Sequence, residues 1–275
     1  MSLEADAIEV LGASPLGRAP HIENPTPIRL DNNVTKLQLS WKTVVKTGNS
    51  YDVYDYQFPL IIGKKVYSNK AKSQARSEEY KSRTITRAIN NIRRLAVGNF
   101  SKYDKFVTIT YDNDNDFDIT KIKECLAYLQ KFLRKLKNTF PNFKYILVTE
   151  FQDRGAVHYH MICNLPYIDN EKLEKIWGHG YTKILAMNNS YGVSAYLSKY
   201  LSKRFDDPRK LGHRLYYTSR NLIRPKKIYG EEAEKIIRKL EQNSSMSMEF
   251  TKVFETEKNG TAIFKLYNPR PNDRT

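Results

Sequence analysis

The chain has 275 residues, enough for one sizeable domain with extensions or for two small domains. An apolar share of 40% and an aromatic share of 12% are those of a folded protein and exclude wholesale disorder. Lys and Arg number 46 against 30 Asp and Glu, a formal charge of +16, which points to a polyanionic partner because each cation that neutralises a phosphate releases counterions.

Two cysteines, Cys125 and Cys163, without CxxC spacing exclude a disulfide scaffold and imply a reducing compartment with two free thiols. No apolar run approaches the ~20 residues a membrane span needs, so no membrane partner is expected. The start, MSLEADAIEVLGASPLGRAP, has neither the basic head nor the apolar core of a signal peptide, and a cytoplasmic protein is expected. A Walker A pattern is also missing; FPLIIGKKVYS lacks the first glycine of a phosphate loop, which excludes an ATPase of that type.

In chain order, residues 1–35 carry Pro15, Pro20, Pro25 and Pro27 with little periodicity and are expected as a flexible leader. A strand-rich extension over 36–70 holds the runs LQLSW, YDVYDYQFPLII and KKVYS, with Pro59 and Gly63 expected to break them. A basic helix is predicted over about 71–97, stopped at Gly98. The run KFVTITY predicts a strand over 105–111, bounded by the acidic turn DNDNDFD. A helix over about 119–138 places Ile122, Cys125, Leu126, Leu129, Phe132, Leu133 and Leu136 at helical spacing, and Pro141 closes it.

Strands follow over Tyr145–Gln152 and Ala156–Asn164, then a short helix over 169–177, a strand near 180–186 and a helix from Ser190 to about Lys203. The run RLYYTSRNL suggests a further strand, EEAEKIIRKLEQ a helix, and MEFTKVFETEKNGTAIFKLY a hairpin turning at Asn259-Gly260. The expected class is α+β, a central antiparallel sheet of about five strands with helices. Residues 71–229 form its main domain, and 230–275 a C-terminal extension of one helix and one β-hairpin.

The chemistry concentrates in YILVTEFQDRGAVHYHMICNLP. The loop Asp153-Arg154-Gly155 suits a hairpin with Gly155 in the left-handed position, and it pairs Gln152 with Ala156. Glu150 then lies opposite His158, with Cβ atoms about 4.5–5.5 Å apart. The period of two puts His160 on the same face, while Val157, Tyr159, Met161 and Cys163 form an apolar set on the other. Two imidazoles and a carboxylate make a three-ligand set open to water or phosphate oxygens. The set suits Mn²⁺ or Mg²⁺, with Zn²⁺ and Fe²⁺ left open by the donor chemistry.

A second constellation is AYLSKYLSK. On a helix Tyr196 and Tyr200 form one row and Lys199 and Lys203 another. Tyrosine and leucine at this spacing are commonly core. Beside a metal-bound phosphate, though, a phenol is a nucleophile and an ammonium stabilises the developing charge. His179, in WGHGY, reads more readily as a loop histidine than as a fourth ligand. YYTSRNLIRPKK mixes aromatic and basic residues, as either an edge strand or a single-strand binding edge would.

With FVTITY before the hairpin, HYH on it behind a strand carrying Glu150, and YLSKYLSK after it, the chain resembles the HUH endonucleases. It is most similar to the two-tyrosine rolling-circle replication initiators of small phages and plasmids. The similarity covers roughly residues 75–225, and it implies a ferredoxin-like α+β domain with a metal site on the sheet face. In relaxases, by contrast, the tyrosine precedes the histidines.

The resemblance implies that Glu150, His158 and His160 hold Mn²⁺ or Mg²⁺. Tyr196 or Tyr200 would nick single-stranded origin DNA, with or without a hairpin, through a 5′-phosphotyrosine, and Lys199 and Lys203 would contact the phosphate or the phenolate. It also implies a host helicase, a DNA polymerase and the bacterial host cytoplasm. Two other readings share parts of this pattern: a single-strand DNA transposase of the same superfamily, and a non-catalytic basic nucleic-acid-binding module.

Overall fold

In the computed structural model, which describes residues 38–63, 78–187, 197, 209 and 213–270, the chain divides into two units. Described residues 78–224 form one, and 38–63 with 225–270 form the other. The first β-branched and aromatic runs make a long hairpin, β1 (Gln38–Thr47) and β2 (Ser50–Ile62). Pro59 does not break β2. It falls where the β1–β2 register shifts between Ser40 and Lys42, and at such an irregularity its missing N–H costs no ladder bond. The run KKVYS lies outside the described residues.

The first unit begins with α1 (Glu78–Asn99). Gly98 lies inside this helix rather than stopping it, and Asn99 ends it. The Asn99 amide donates to the carbonyls of Leu95 and Ile223 (2.9 Å each), and its oxygen accepts from the Ile223 N–H (2.7 Å). Then come β3 (Lys105–Tyr111), α2 (Ile122–Thr139), β4 (Tyr145–Phe151), β5 (Val157–Cys163), α3 (Asn170–Trp177), β6 (Gly180–Ala186) and β7 (Tyr216–Thr218). The helix expected over 190–203 falls outside the described residues except for Leu197. The five strands form one antiparallel sheet in the order β6-β3-β5-β4-β7.

Alternation sorts the side chains of this sheet into two layers. Val107, Ile109, Leu147, Tyr159, Met161 and Cys163 pack with Ile122, Cys125, Leu129, Phe132 and Leu136 of α2 and with Leu173 and Trp177 of α3. On the other face Phe106, Ile146, Val148 and Ile162 pack with Ala88, Ile92, Leu95 and Ala96 of α1. Each fully buried Leu, Ile or Phe contributes about 1.5–3 kcal/mol, so these layers fix the strand register that the site depends on. Cys125 and Cys163 are free, and burial pushes both thiols up to about 12.

The second unit resumes with β8 (Lys226–Tyr229), α4 (Gly230–Gln242), β9 (Met246–Thr256) and β10 (Gly260–Pro269). With β1 and β2 they build another five-stranded antiparallel sheet, in the order β8-β1-β2-β10-β9. Val44, Val53, Ile228 and Tyr267 pack on Ala233, Ile237 and Leu240 of α4. Among the described residues the fold is thus α+β, with two antiparallel sheets and four helices. No described helix is long and apolar enough to cross a membrane.

Candidate metal centre

The hairpin turn forms as its sequence predicts. The Gln152 N–H donates to the Ala156 carbonyl (2.9 Å) and the Gly155 N–H to the Gln152 carbonyl (2.8 Å), with Gly155 at φ 87°. Arg154 pins this turn to the end of β3: it donates to the Tyr111 carbonyl and to Asn113 Oδ1, and its Nε reaches Gln152 Oε1 at 2.9 Å. The pairing that follows sets Glu150 opposite His158 and Val148 opposite His160.

Glu150, His158 and His160 therefore meet on one face, with one ligand atom from each lying within 4.8 Å of the others. His160 and Glu150 are buried, and His160 Nε2 lies 2.9 Å from Glu150 Oε2. The two imidazoles sit with ring centroids 4.7 Å apart, and His158 is half-buried. β3 supplies the second layer of contacts. Thr110 Oγ1 is 3.2 Å from His158 Nε2, Thr108 Oγ1 is 3.4 Å from His160 Nδ1, and Phe106 stacks on His160 at 5.8 Å. A shallow cleft of about 450 Å³ opens beside Glu150 and His158, lined also by Phe151, Gln152, Asp153 and Arg154.

The donor set fits a divalent ion. Two nitrogens and one carboxylate oxygen, each ~2.0–2.3 Å from a common centre, must lie within about 4.6 Å of one another, close to the spread found. The set does not choose among Mn²⁺, Mg²⁺, Zn²⁺ and Fe²⁺.

His179 stands apart from this group. Its ring packs edge-on against Phe117, Tyr128 and Trp177 and bonds to Asn115 Oδ1 (3.1 Å), while burial and then Lys135 hold its pKa below the ordinary imidazole value. It is a packing histidine of the loop before β6. Tyr196, Tyr200, Lys199 and Lys203 lie outside the described residues. Leu197 is fully buried in the apolar cluster of the sheet face that carries the centre.

Two residues of that face escape a reading of the sequence alone. β6 pairs with β3 so that Tyr181 stands opposite Thr110 and Lys183 opposite Thr108, in the rows that run on to His158 and His160. Both are exposed. The alternation in GYTKILA separates them from Thr182 and Ile184, but only the β3–β6 register assigns them to the histidine face.

Fold and site define an α+β protein with a carboxylate–imidazole cluster on the face of an antiparallel sheet. Residues 104–205 match the model of a family described as Replication-associated protein, of the ORF2 type, consistent with a replication initiator of the Rep type. No curated protein and no solved structure matches the chain.

Proposed function

We propose that the chain is a metal-dependent DNA endonuclease and strand transferase of the two-tyrosine HUH type, which nicks and rejoins single-stranded DNA at a replication origin. The observation that carries this reading is the cluster of Glu150, His158 and His160, fixed by hairpin register and lying inside the region matched by a replication-associated family. The burial of Leu197 in the same face supports bringing the tyrosine-bearing segment to it.

A divalent ion held by Glu150, His158 and His160 would supply Lewis-acid stabilisation of charge on a scissile phosphate. The phenol oxygen of Tyr196 or Tyr200 forms a bond to phosphorus as the P–O3′ bond breaks. The phenol gives up its proton, the 3′ oxygen leaves as a hydroxyl, and the protein stays on the 5′ phosphate. The second tyrosine permits a later cleavage, after which the free 3′ hydroxyl attacks a phosphotyrosine and rejoins the strand. Lys199 and Lys203 offer their ammonium groups to the phosphate or the phenolate. Helicase and polymerase activities would come from the host.

The test is incubation of the full chain with a pool of short single-stranded DNAs and Mn²⁺ or Mg²⁺, followed by peptide mapping of any covalent adduct. The expected adduct lies on Tyr196 or Tyr200, disappears with chelator and is lost in Glu150→Gln. Full nicking by the Tyr196→Phe/Tyr200→Phe variant would overturn the tyrosine assignment, and nicking in chelator would overturn the metal assignment.

A further inference from the structure

Among the described residues of the first unit, a large concavity lies away from the metal centre, on the β7 edge of the sheet, between α1 and α2. It encloses about 1060 Å³ and is lined by five arginines, Arg87 and Arg94 from α1 with Arg214, Arg220 and Arg224 from the chain around β7. No Asp or Glu is among its described lining residues. A wall built from five guanidinium groups concentrates like charge, and such a field is relieved when an anion enters.

Three features give the groove a shape suited to one class of anion. Arg87 and Arg94 are seven residues apart, so on α1 they project from one side, two turns from each other. Arg224 is held in place, its Nη2 donating to Thr218 Oγ1 (3.1 Å) and to the Ser219 carbonyl (3.0 Å). Tyr145, Tyr216 and Tyr217 interleave aromatic surface among these cations, and Asn91 Nδ2 donates to Tyr216 Oη across the floor. Spaced fixed cations match a series of phosphates rather than a single one, and interleaved rings match unpaired bases.

We infer that this groove is a metal-independent binding site for the phosphodiester backbone of a single-stranded nucleic acid. It shares a strand with the metal centre, since Tyr216 pairs with Val148, two residues before Glu150 on β4. That separation is roughly 7 Å along the strand, so a chain lying in the groove passes next to the centre. The inference does not rest on the nicking chemistry.

The test is fluorescence anisotropy of a labelled single strand with the full chain, in chelator, over a series of salt concentrations. Arg87→Ala/Arg214→Ala/Arg220→Ala is expected to weaken binding at least about ten-fold at low salt. It should also flatten the slope of log affinity against log salt by about 2, at ~0.7 per lost phosphate contact. The corresponding triple Lys variant should keep the slope. Lys123→Ala/Arg134→Ala/Lys137→Ala removes equal charge from exposed positions of α2 outside the groove and should cost much less.

Equal losses in the two Ala variants, no loss in the groove variant, or loss of the slope in the Lys variant would each overturn the site. Tighter binding of a duplex of the same sequence would overturn the single-strand assignment. Competition by poly-glutamate as effective as that of a strand of equal charge would overturn the nucleic-acid assignment. Because chelator silences any metal-dependent cleavage, this result and the covalent-adduct result can fail separately.

Discussion

His160 can present Nε2 beside Glu150 only while its ring is held in one orientation. Three neighbours hold that ring: Glu150 Oε2 at 2.9 Å, Thr108 Oγ1 at 3.4 Å from Nδ1, and the stacked ring of Phe106. Thr108 thus acts on the proposed centre through another residue, by fixing the imidazole's tautomer and direction. Thr108→Val keeps the shape and removes the hydroxyl. It is expected to weaken Mn²⁺ affinity by about ten-fold, toward the lower end of what such outer contacts contribute, with no loss of secondary structure. Calorimetric titration of the variant with Mn²⁺ checks this; an affinity unchanged from the wild type would show that Phe106 and Glu150 alone orient the ring. Nothing in KFVTITY singles out Thr108, because threonine is an ordinary strand residue. Its role emerges only from the β3–β5 pairing of Thr108 with His160.

At the scale of elements, local turn chemistry makes the hairpin legible. Asp153-Arg154-Gly155 specifies the loop, the loop sets the register, and the register places Glu150 against His158. The strand and helix spans of the first unit are legible from periodicity for the same reason. Pro59 and Gly98 depart from expectation because a bulge and the Asn99 cap override residue preference. The glycines test how much the turns contribute. At Gly155 an added Cβ meets only Arg209 Nη1 at 3.5 Å and Thr120 Cγ2 at 3.8 Å, so Gly155→Ala carries just the cost of its φ, about 1–2 kcal/mol. At Gly180, φ 139°, the same Cβ runs into the backbone of Thr110 and Asp112, which cannot swing aside. Gly180→Ala is expected to cost more than about 3 kcal/mol and to disturb Thr110, the partner of His158. Urea denaturation of the two variants checks the order; equal losses would mean that β6 gives way without strain.

For the whole molecule the decisive contacts are the ones no local pattern announces. β2 and β10 pair Tyr51 with Tyr267 and Tyr56 with Ala262, and the Gln57 side chain accepts from the Thr261 N–H 204 residues further on. Hydrophobic alternation identifies both strands but carries no information about which partner each will choose, so the second sheet is invisible as a sheet in the sequence. The same distance makes it vulnerable. Removing residues beyond Gln242 would delete β9 and β10, strip Tyr267 from the layer on α4, and leave β2 with an unpaired edge from Tyr51 to Tyr56. An edge rich in tyrosine and valine is a template for pairing with other copies. The truncated chain is therefore expected to elute as large species in size-exclusion chromatography and to lose cooperative unfolding of the second unit. The sheet of the first unit takes no strand from the deleted segment, so its own amides should keep their hydrogen-exchange protection. Loss of protection throughout β3, β4 and β5 in the same sample would show instead that the two units fold as one.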